Sequence, residues 1–252
     1  MNTDFSKNKI IAIPFAGGNK YSFKTLEDQV PDHLDWRTLE LPGRGARFNE
    51  ESLFTIPEMV EDLIAQLIPH IKTGDYILYG HSMGTLLGYE LTKQIIQRKL
   101  KLPHCLFFTG RAAPSILLKE KKSVLPKIIF WEKVQEMGGL PKEILKCEEL
   151  LELYYPILVS DFKAIEDYIY TPMEKPFSIP IYVCLGKDEI GEEKGKTKIT
   201  DIKVWGDETI FPCTPELMEG DHFFIFRNQK KIVDKLSNIF RIHSNSIVLK
   251  KK

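Results

Sequence analysis

Cysteine is scarce in this sequence, and the few cysteines lie far apart. The chain of 252 residues contains four of them, with no Cys-x-x-Cys pair and no cluster of cysteine and histidine at metal-ligand spacing. Cys105, Cys184 and Cys213 fall in apolar, strand-like stretches, where a buried free thiol is the usual finding. We therefore expect neither a metal site nor a bound cofactor.

The sequence also lacks an excess of charge of either sign and any long hydrophobic run. Lysine plus arginine and aspartate plus glutamate each total 35, so no overall field favours nucleic acid or an anionic membrane surface. No apolar run reaches the roughly 18 residues of a membrane-spanning helix, and the polar residues 1–9 lead directly into a strand-like stretch. We expect a cytoplasmic monomer that binds neither nucleic acid nor membrane.

Short apolar runs alternate with longer segments of helical periodicity along the chain. Hydrophobic residues make up 43% of the sequence and charged residues 28%, which is ordinary for a globular protein with a large core. This alternation is typical of a parallel sheet covered by helices on both faces. We predict one α/β domain over residues 1–252, with strands at residues 10–15, 36–41, 76–79, 105–109, 181–185 and 209–213 and a last helix at about 228–240.

A long segment separates the fourth and fifth predicted strands. Residues 110–180 contain seven prolines between helical pieces, and this segment is too long for a simple crossover. Connections of this length inside a compact domain are often functional. We therefore predict a helical lid insertion at about residues 111–178, over the carboxyl edge of the sheet.

A Gly-x-Ser-x-Gly motif occupies residues 80–84, between a predicted strand and a predicted amphipathic helix that ends before Pro103. The motif alone is weak, because it should occur by chance in roughly one chain in ten of this length. A strand before it and a helix after it are typical of the nucleophile elbow of α/β-hydrolases, in which the serine lies on a strained turn. We predict that Ser82 is a nucleophile.

The elbow also suggests where an oxyanion would be stabilised. The first turn of the helix after Ser82 offers free N–H groups with positive dipole character, so the Met83 amide is one candidate donor. The second donor is expected from the turn after the first strand, where residues 14–18 read Pro-Phe-Ala-Gly-Gly. Ala16 is the preferred donor there, with Phe15 as the alternative.

A serine hydroxyl needs a nearby base, and in α/β-hydrolases the triad follows the order serine, acid, histidine. Three histidines lie after Ser82 in the sequence. His104 precedes a strand, at the wrong edge of the sheet, and His243 lies beyond the last predicted helix. His222 follows a strand-like segment and precedes the final helix, so we predict that it is the general base.

The acid that orients the histidine belongs on a loop at the carboxyl end of a strand. Asp188 follows the predicted strand at residues 181–185 and is the preferred candidate. Glu189, Asp207 and Asp221 are the alternatives, and a strand end misplaced by one residue would favour Glu189.

Four segments of the chain resemble the type II thioesterases that serve nonribosomal peptide and polyketide synthases. They are residues 14–18, residues 41–47 (Leu-Pro-Gly-Arg-Gly-Ala-Arg), residues 80–84 and residues 220–224 (Gly-Asp-His-Phe-Phe). The predicted lid is also similar in residues 109–114 and in residues 156–162. The resemblance spans nearly the whole chain, and its Pro-Gly-Arg segment is much more specific than Gly-x-Ser-x-Gly.

The resemblance implies an α/β-hydrolase fold and hydrolysis of acyl or aminoacyl thioesters on the phosphopantetheine arm of an acyl or peptidyl carrier protein. Such an enzyme clears stalled or misprimed units from an assembly line. Three other functions remain open: a carboxylesterase or lipase acting on free esters, an acyltransferase, and a non-catalytic module that binds carrier proteins. In the lid, the residues expected to line an acyl pocket are Ile128, Ile129, Phe130, Leu150, Leu151 and Leu153.

The two arginines of residues 41–47 can be interpreted in two ways. Arg44 and Arg47 either organise the loop after the second strand through carboxylate or backbone hydrogen bonds, or receive the phosphate of the pantetheine arm. Neither is assigned a catalytic role.

Overall fold

The part of the chain that the structure describes is built around one six-stranded sheet. The computed structural model describes residues 7–118, 120–138, 146–193 and 195–249, with side chains described as far as residue 241. The strands are β1 (Asn8–Ile13), β2 (Leu34–Thr38), β3 (Tyr76–His81), β4 (Leu106–Thr109), β5 (Ile181–Gly186) and β6 (Glu216–Met218). All neighbours pair in parallel in the order β2-β1-β3-β4-β5-β6, which confirms the predicted α/β class.

In the described ranges, helices lie in the connections between the strands, and two more follow the last strand. They are α1 (Lys24–Glu27), α2 (Ile56–Ile71), α3 (Met83–Gln97), α4 (Lys127–Met137), α5 (Glu148–Glu166), α6 (Ile199–Lys203), α7 (Phe224–Arg227) and α8 (Gln229–Leu249). The last helix begins where the sequence predicts and ends nine residues later than residue 240. No helix in the described ranges is long and apolar enough to cross a membrane.

The central strands are buried on both faces because alternate side chains enter two separate cores. Ile11, Ile13 and Leu78 pack with α2 and α3 on one face. Ile10 and Ile77 pack with α1 and α8 on the other face. This pattern explains why the strands read as continuous apolar runs in the sequence.

Five of the predicted strands overlap observed ones, whereas the prediction for residues 209–213 is wrong. Thr209 forms only an isolated bridge with Phe177, and Ile210 is largely exposed. The sixth strand is β6, a three-residue edge strand that pairs with β5. β6 is too short to produce a periodic pattern of apolar residues. The apolar run at residues 209–213 therefore looks more like a strand in the sequence than β6 does.

In the described part of the segment between β4 and β5 lie two helices, α4 and α5, and we refer to them as the cover helices. Their facing residues form a small third core, made of Phe130, Val134, Leu158 and Phe162. Of the six lid residues expected to line an acyl pocket, only Phe130 is buried, and it packs inside this core. Ile128, Ile129 and Leu153 are instead exposed.

Candidate active site

Ser82 lies on a strained turn between β3 and α3. Its backbone has φ 56° and ψ −113°, a left-handed conformation that a non-glycine residue rarely adopts. The Ser82 N–H donates to the Thr109 carbonyl oxygen at 2.8 Å, which fixes the turn to the end of β4. The sequence prediction of an elbow is thus matched by the backbone geometry.

The two glycines of the motif allow this turn to pack closely. A Cβ atom on Gly84 would lie 1.9 Å from the carbonyl oxygen of Ile13, and one on Gly80 would lie 2.3 Å from the Gly84 carbonyl oxygen. Only glycine therefore lets the start of α3 approach both β3 and the end of β1.

His222 lies on the loop between β6 and α7 and reaches the serine. Its Nε2 atom is 2.9 Å from Ser82 Oγ, within hydrogen-bond distance. The structure thus brings the two residues together across 140 positions of sequence. His104 pairs instead with Asp75, before β4, and the side chain of His243 lies outside the described residues.

The carboxylate that contacts His222 is Glu189, and the prediction of Asp188 is wrong on this point. Glu189 Oε2 lies 2.6 Å from His222 Nδ1, and Glu189 Oε1 accepts the Gly186 N–H at 2.8 Å. The Asp188 side chain is exposed, while its N–H donates to the Gly220 carbonyl oxygen. The other two alternatives, Asp207 and Asp221, make no recorded contact with the imidazole.

The cause of this error is the end of β5. The strand ends at Gly186, one residue later than predicted, and a single 3₁₀ turn over Lys187–Glu189 follows it. That turn directs the third residue after Gly186, rather than the second, toward His222. The sequence indicated this alternative but gave no signal that favoured it.

A second histidine lies directly beneath the first. His81 is fully buried, its ring centroid is 5.2 Å from that of His222, and its Nδ1 lies 2.9 Å from Thr109 Oγ1. Its Nε2 has no hydrogen-bond partner among the described residues. Burial lowers the pKa of His81 well below 6.5, and the nearby His222 lowers it further. His81 is therefore neutral at neutral pH and adds no positive charge beside His222.

The two predicted oxyanion donors lie beside the elbow. Met83 is the first residue of α3, where a backbone N–H has no partner within the helix. Ala16 lies in the turn after β1, between Phe15, whose carbonyl accepts the Gly18 N–H, and Gly17, whose N–H is bound by Asp161. Within the described chain, no acceptor is recorded for the Ala16 N–H.

Arg44 and Arg47 both organise the loop after β2. Arg44 is buried and forms a two-armed ion pair with Asp161 of α5, at 2.6 and 2.8 Å. Arg47 donates to the Glu40 carbonyl oxygen and pairs with Asp62 at 2.7 and 2.8 Å. These contacts favour the first of the two interpretations of the arginines, because the guanidinium groups are already occupied by protein oxygens.

A groove of about 760 Å³ borders the site. Its walls come from the turn after β1, from Tyr154 and Leu158 of α5, from Asp188 after β5, and from six residues between Gly220 and Arg227 in the loop after β6 and in α7. The volume is in the range of small-molecule sites, and most of the wall residues are apolar or aromatic. In the part of the chain that is described, no group of three or more His, Cys, Asp or Glu residues could hold a metal ion.

Known proteins are similar to this chain over most of its length. The sequence model of the thioesterase domain matches residues 8–240. The gramicidin S biosynthesis protein GrsT of Aneurinibacillus migulanus is 28% identical over 238 residues, which cover 94% of this chain and 90% of that protein. The thioesterase PikA5 of Streptomyces venezuelae is 26% identical, covering 91% of this chain and 80% of its own.

A solved structure is similar over almost the whole length. ClbQ, from the colibactin NRPS/PKS pathway, superimposes with a TM-score of 0.86 at 26% identity, and the match covers 96% of this chain and 100% of ClbQ.

Proposed function

This chain belongs to the thioesterase family, and we propose that it removes acyl or aminoacyl groups from the phosphopantetheine arms of carrier proteins in peptide or polyketide synthesis. The resemblance to type II thioesterases is confirmed by the relatives, and the chain is an enzyme that hydrolyses thioesters. Ser82, His222 and Glu189 are the proposed triad. The observation that carries this proposal is the continuous chain of contacts from Ser82 Oγ through the imidazole to Glu189.

Acylation begins with proton transfer inside this chain of contacts. His222 Nε2 takes the hydroxyl proton as Ser82 Oγ attacks the thioester carbonyl carbon. The carbonyl oxygen becomes an oxyanion, which the amides of Ala16 and Met83 stabilise by hydrogen bonds. When the intermediate collapses, the carbon–sulfur bond breaks, and the pantetheine thiol leaves with the proton from His222.

Deacylation repeats the same steps with water. His222 takes a proton from a water molecule that attacks the acyl-serine carbonyl, and a second oxyanion forms at the same amides. Collapse of this intermediate returns the proton from His222 to Ser82 and releases the free acid. Throughout both steps, Glu189 keeps Nδ1 protonated and Nε2 directed at Ser82, and its negative charge stabilises the imidazolium.

The groove supplies space for a substrate of this kind. It adjoins Ala16, the proposed oxyanion donor, and its wall includes Phe223, the neighbour of His222. We infer that the acyl group or the pantetheine arm lies in it, beneath the cover helices that form part of the proposed lid at residues 111–178.

We further propose that the protein is a cytoplasmic monomer with one domain over residues 1–252. Its proposed partner is an acyl or peptidyl carrier protein. The equal numbers of acidic and basic residues support the expectation that it does not bind nucleic acid through overall charge.

The experiment that tests the proposal compares substrates. We expect kcat/KM for an acyl group on a holo-carrier protein to exceed that for a small aryl ester by about 100-fold or more, equivalent to about 2.7 kcal/mol of transition-state stabilisation. The reverse preference would identify an esterase. Transfer of the acyl group to an added thiol instead of water would identify an acyltransferase, and failure of a fluorophosphonate to label Ser82 would indicate a binding module.

A further inference from the structure

A buried ion pair joins the loop after β2 to the cover helix α5. Arg44 Nη1 lies 2.6 Å from Asp161 Oδ2, and Arg44 Nη2 lies 2.8 Å from Asp161 Oδ1. The Arg44 side chain is 2% exposed and the Asp161 side chain is 0% exposed. A parallel two-armed pair of this kind fixes both the position and the plane of the carboxylate.

The same carboxylate makes a third contact, with the turn that follows β1. Asp161 Oδ2 accepts the Gly17 N–H at 2.7 Å. Gly17 has φ +76°, and a Cβ atom there would lie 2.7 Å from Leu158 Cδ2, so the turn packs directly against α5. Asp161 therefore holds the peptide group that follows Ala16, and it holds that group from a helix 144 residues away in sequence.

A second buried carboxylate holds the other end of this turn. Glu40 Oε1 accepts the Lys20 N–H at 2.8 Å, and Glu40 Oε2 accepts the Ala46 N–H at 2.9 Å. The turn after β1 is thus tied at Gly17 and at Lys20 to groups whose own positions are set by the loop after β2. Next to these ties, the Ala16 N–H has no acceptor among the described residues, which leaves it available to an oxyanion.

From this geometry we propose that Arg44 and Asp161 are positioning residues that aim the Ala16 amide at the oxyanion. The proposal rests on the proposed function in assigning Ala16 to the oxyanion site. Asp161 is fully buried and lies outside the wall of the groove, and it acts through the Gly17 peptide. Arg44 acts one step further away, by fixing the Asp161 carboxylate. Preorganised donors lose catalytic effect when they are misaimed, because they must then reorganise during the reaction.

The test uses Asp161→Asn, which keeps the shape of the side chain but leaves one acceptor oxygen, where the carboxylate has two, to meet the three donors. We expect kcat to fall about 10-fold to 100-fold, less than the 100-fold to 1000-fold typical when a donor is removed outright. KM for the acyl-carrier should change little. Arg44→Lys, which cannot form the two-armed pair, should show a smaller loss in the same direction and serves as the second variant if Asp161→Asn folds poorly.

An alkylboronic acid supplies a readout that a merely structural role would not change. Its tetrahedral adduct with Ser82 places an oxygen where the oxyanion forms, so its inhibition constant should rise by the same factor as kcat/KM falls. Affinity for the free acid product should remain unchanged. Because this probe needs no thioester, it tests the positioning role even if the proposed substrate is wrong.

The matched control is Asp62→Asn, which weakens one of the two carboxylate pairs of Arg47, the other being with Glu50, and does not contact the turn after β1. It should leave kcat and boronate affinity within about 2-fold, a change below 0.5 kcal/mol. The proposal is overturned if Asp161→Asn and Arg44→Lys lower only the melting temperature, or raise only KM, while boronate affinity stays at the wild-type value. That outcome would make the pair an anchor for the cover helix alone.

Discussion

The two oxygens of Glu189 are both occupied, and this fixes the direction in which the carboxylate points. Oε1 is held by the Gly186 N–H and Oε2 faces His222 Nδ1. The longer glutamate side chain thus reaches the imidazole from the third residue of a 3₁₀ turn, while the backbone contact limits its freedom. An amide in the same place would present an NH₂ group as easily as an oxygen.

We expect Glu189→Gln to lower kcat by about 100-fold to 10,000-fold, since the corresponding change in a serine-protease triad costs about 10⁴ through the wrong imidazole tautomer. Asp188→Asn is the matched comparison, because the exposed Asp188 side chain lines the groove but makes no contact with His222, and asparagine keeps its size. It should retain most of the activity. Steady-state hydrolysis of one acyl-carrier by both variants measures the difference, and a larger loss in Asp188→Asn would return the role of the acid to Asp188.

The buried His81 makes the stability of the folded protein depend on pH, separately from any effect of pH on catalysis. Burial holds the pKa of His81 well below 6.5 in the folded protein, whereas the unfolded chain has the ordinary value. As pH falls below about 6.5, the unfolded state therefore binds a proton that the folded state does not. The contribution to stability is fully present above that pH and is lost as the pH falls toward the folded-state pKa.

The expected result is a free energy of unfolding that decreases between pH 7 and pH 5 more steeply in the wild type than in His81→Gln. One proton accounts for at most about 1.4 kcal/mol per pH unit. Urea unfolding at three pH values measures the two slopes. Equal slopes would mean that His81 is not held neutral in the folded protein.

The sequence predicted the residues of the site whose signals are local. Ser82 stands in a motif flanked by a strand and a helix, and His222 is the one histidine placed before the last helix at the carboxyl edge. The acid depends on where β5 ends, and one residue changes which side chain faces inward. Asp161 carries no local signal at all, because its role arises from contacts with Arg44 and Gly17 more than 100 residues away.

The two halves of α5 are held differently. The carboxyl-terminal half is buried and tied to the rest of the fold through Asp161, whereas Leu153 in the first half is exposed. We therefore expect any opening of the cover helices to involve α4 and the start of α5 rather than the whole insertion. Tyr154 lies where the two halves meet and lines the groove.

Tyr154→Ala should enlarge the groove and raise kcat/KM for bulky acyl-carriers relative to short ones. Ile128→Ala, at a position 75% exposed on the outer side of α4, is the control and should leave the ratio unchanged. Competition between a short and a branched acyl group on the same carrier protein measures this ratio directly. An unchanged ratio in Tyr154→Ala would mean that the acyl group does not lie in this groove.

The elements themselves differ in how well the sequence indicates them. The buried strands read as apolar runs because both faces enter a core. β6 does not, since it is three residues long and its first residue is exposed. The apolar run at residues 209–213, where the sequence predicts a strand, contains Pro212, which lacks the N–H needed for a sheet ladder, and the exposed Ile210.

Over the whole molecule, the parallel sheet gathers distant residues at one edge. The loops after β1, β3, β5 and β6 supply Ala16, Ser82, Glu189 and His222, and the loop after β2 supports the first of these. Because every strand runs in the same direction, all these loops lie at the same edge, where ligands bind in open α/β sheets. The site is therefore a consequence of topology, and Tyr154 and Leu158 of α5 form part of the wall of the groove beside it.

In the proposed mechanism, Ser82 carries the acyl group between a carrier-bound thioester and water. Intact-mass measurement during a single turnover of an acyl-carrier protein tests this role. We expect loss of the acyl mass from the carrier, transient gain of the same mass on the Ser82 peptide, and neither event in Ser82→Ala. Deacylation of the carrier by Ser82→Ala at the wild-type rate, with contaminating enzyme excluded, would show that Ser82 is not the nucleophile.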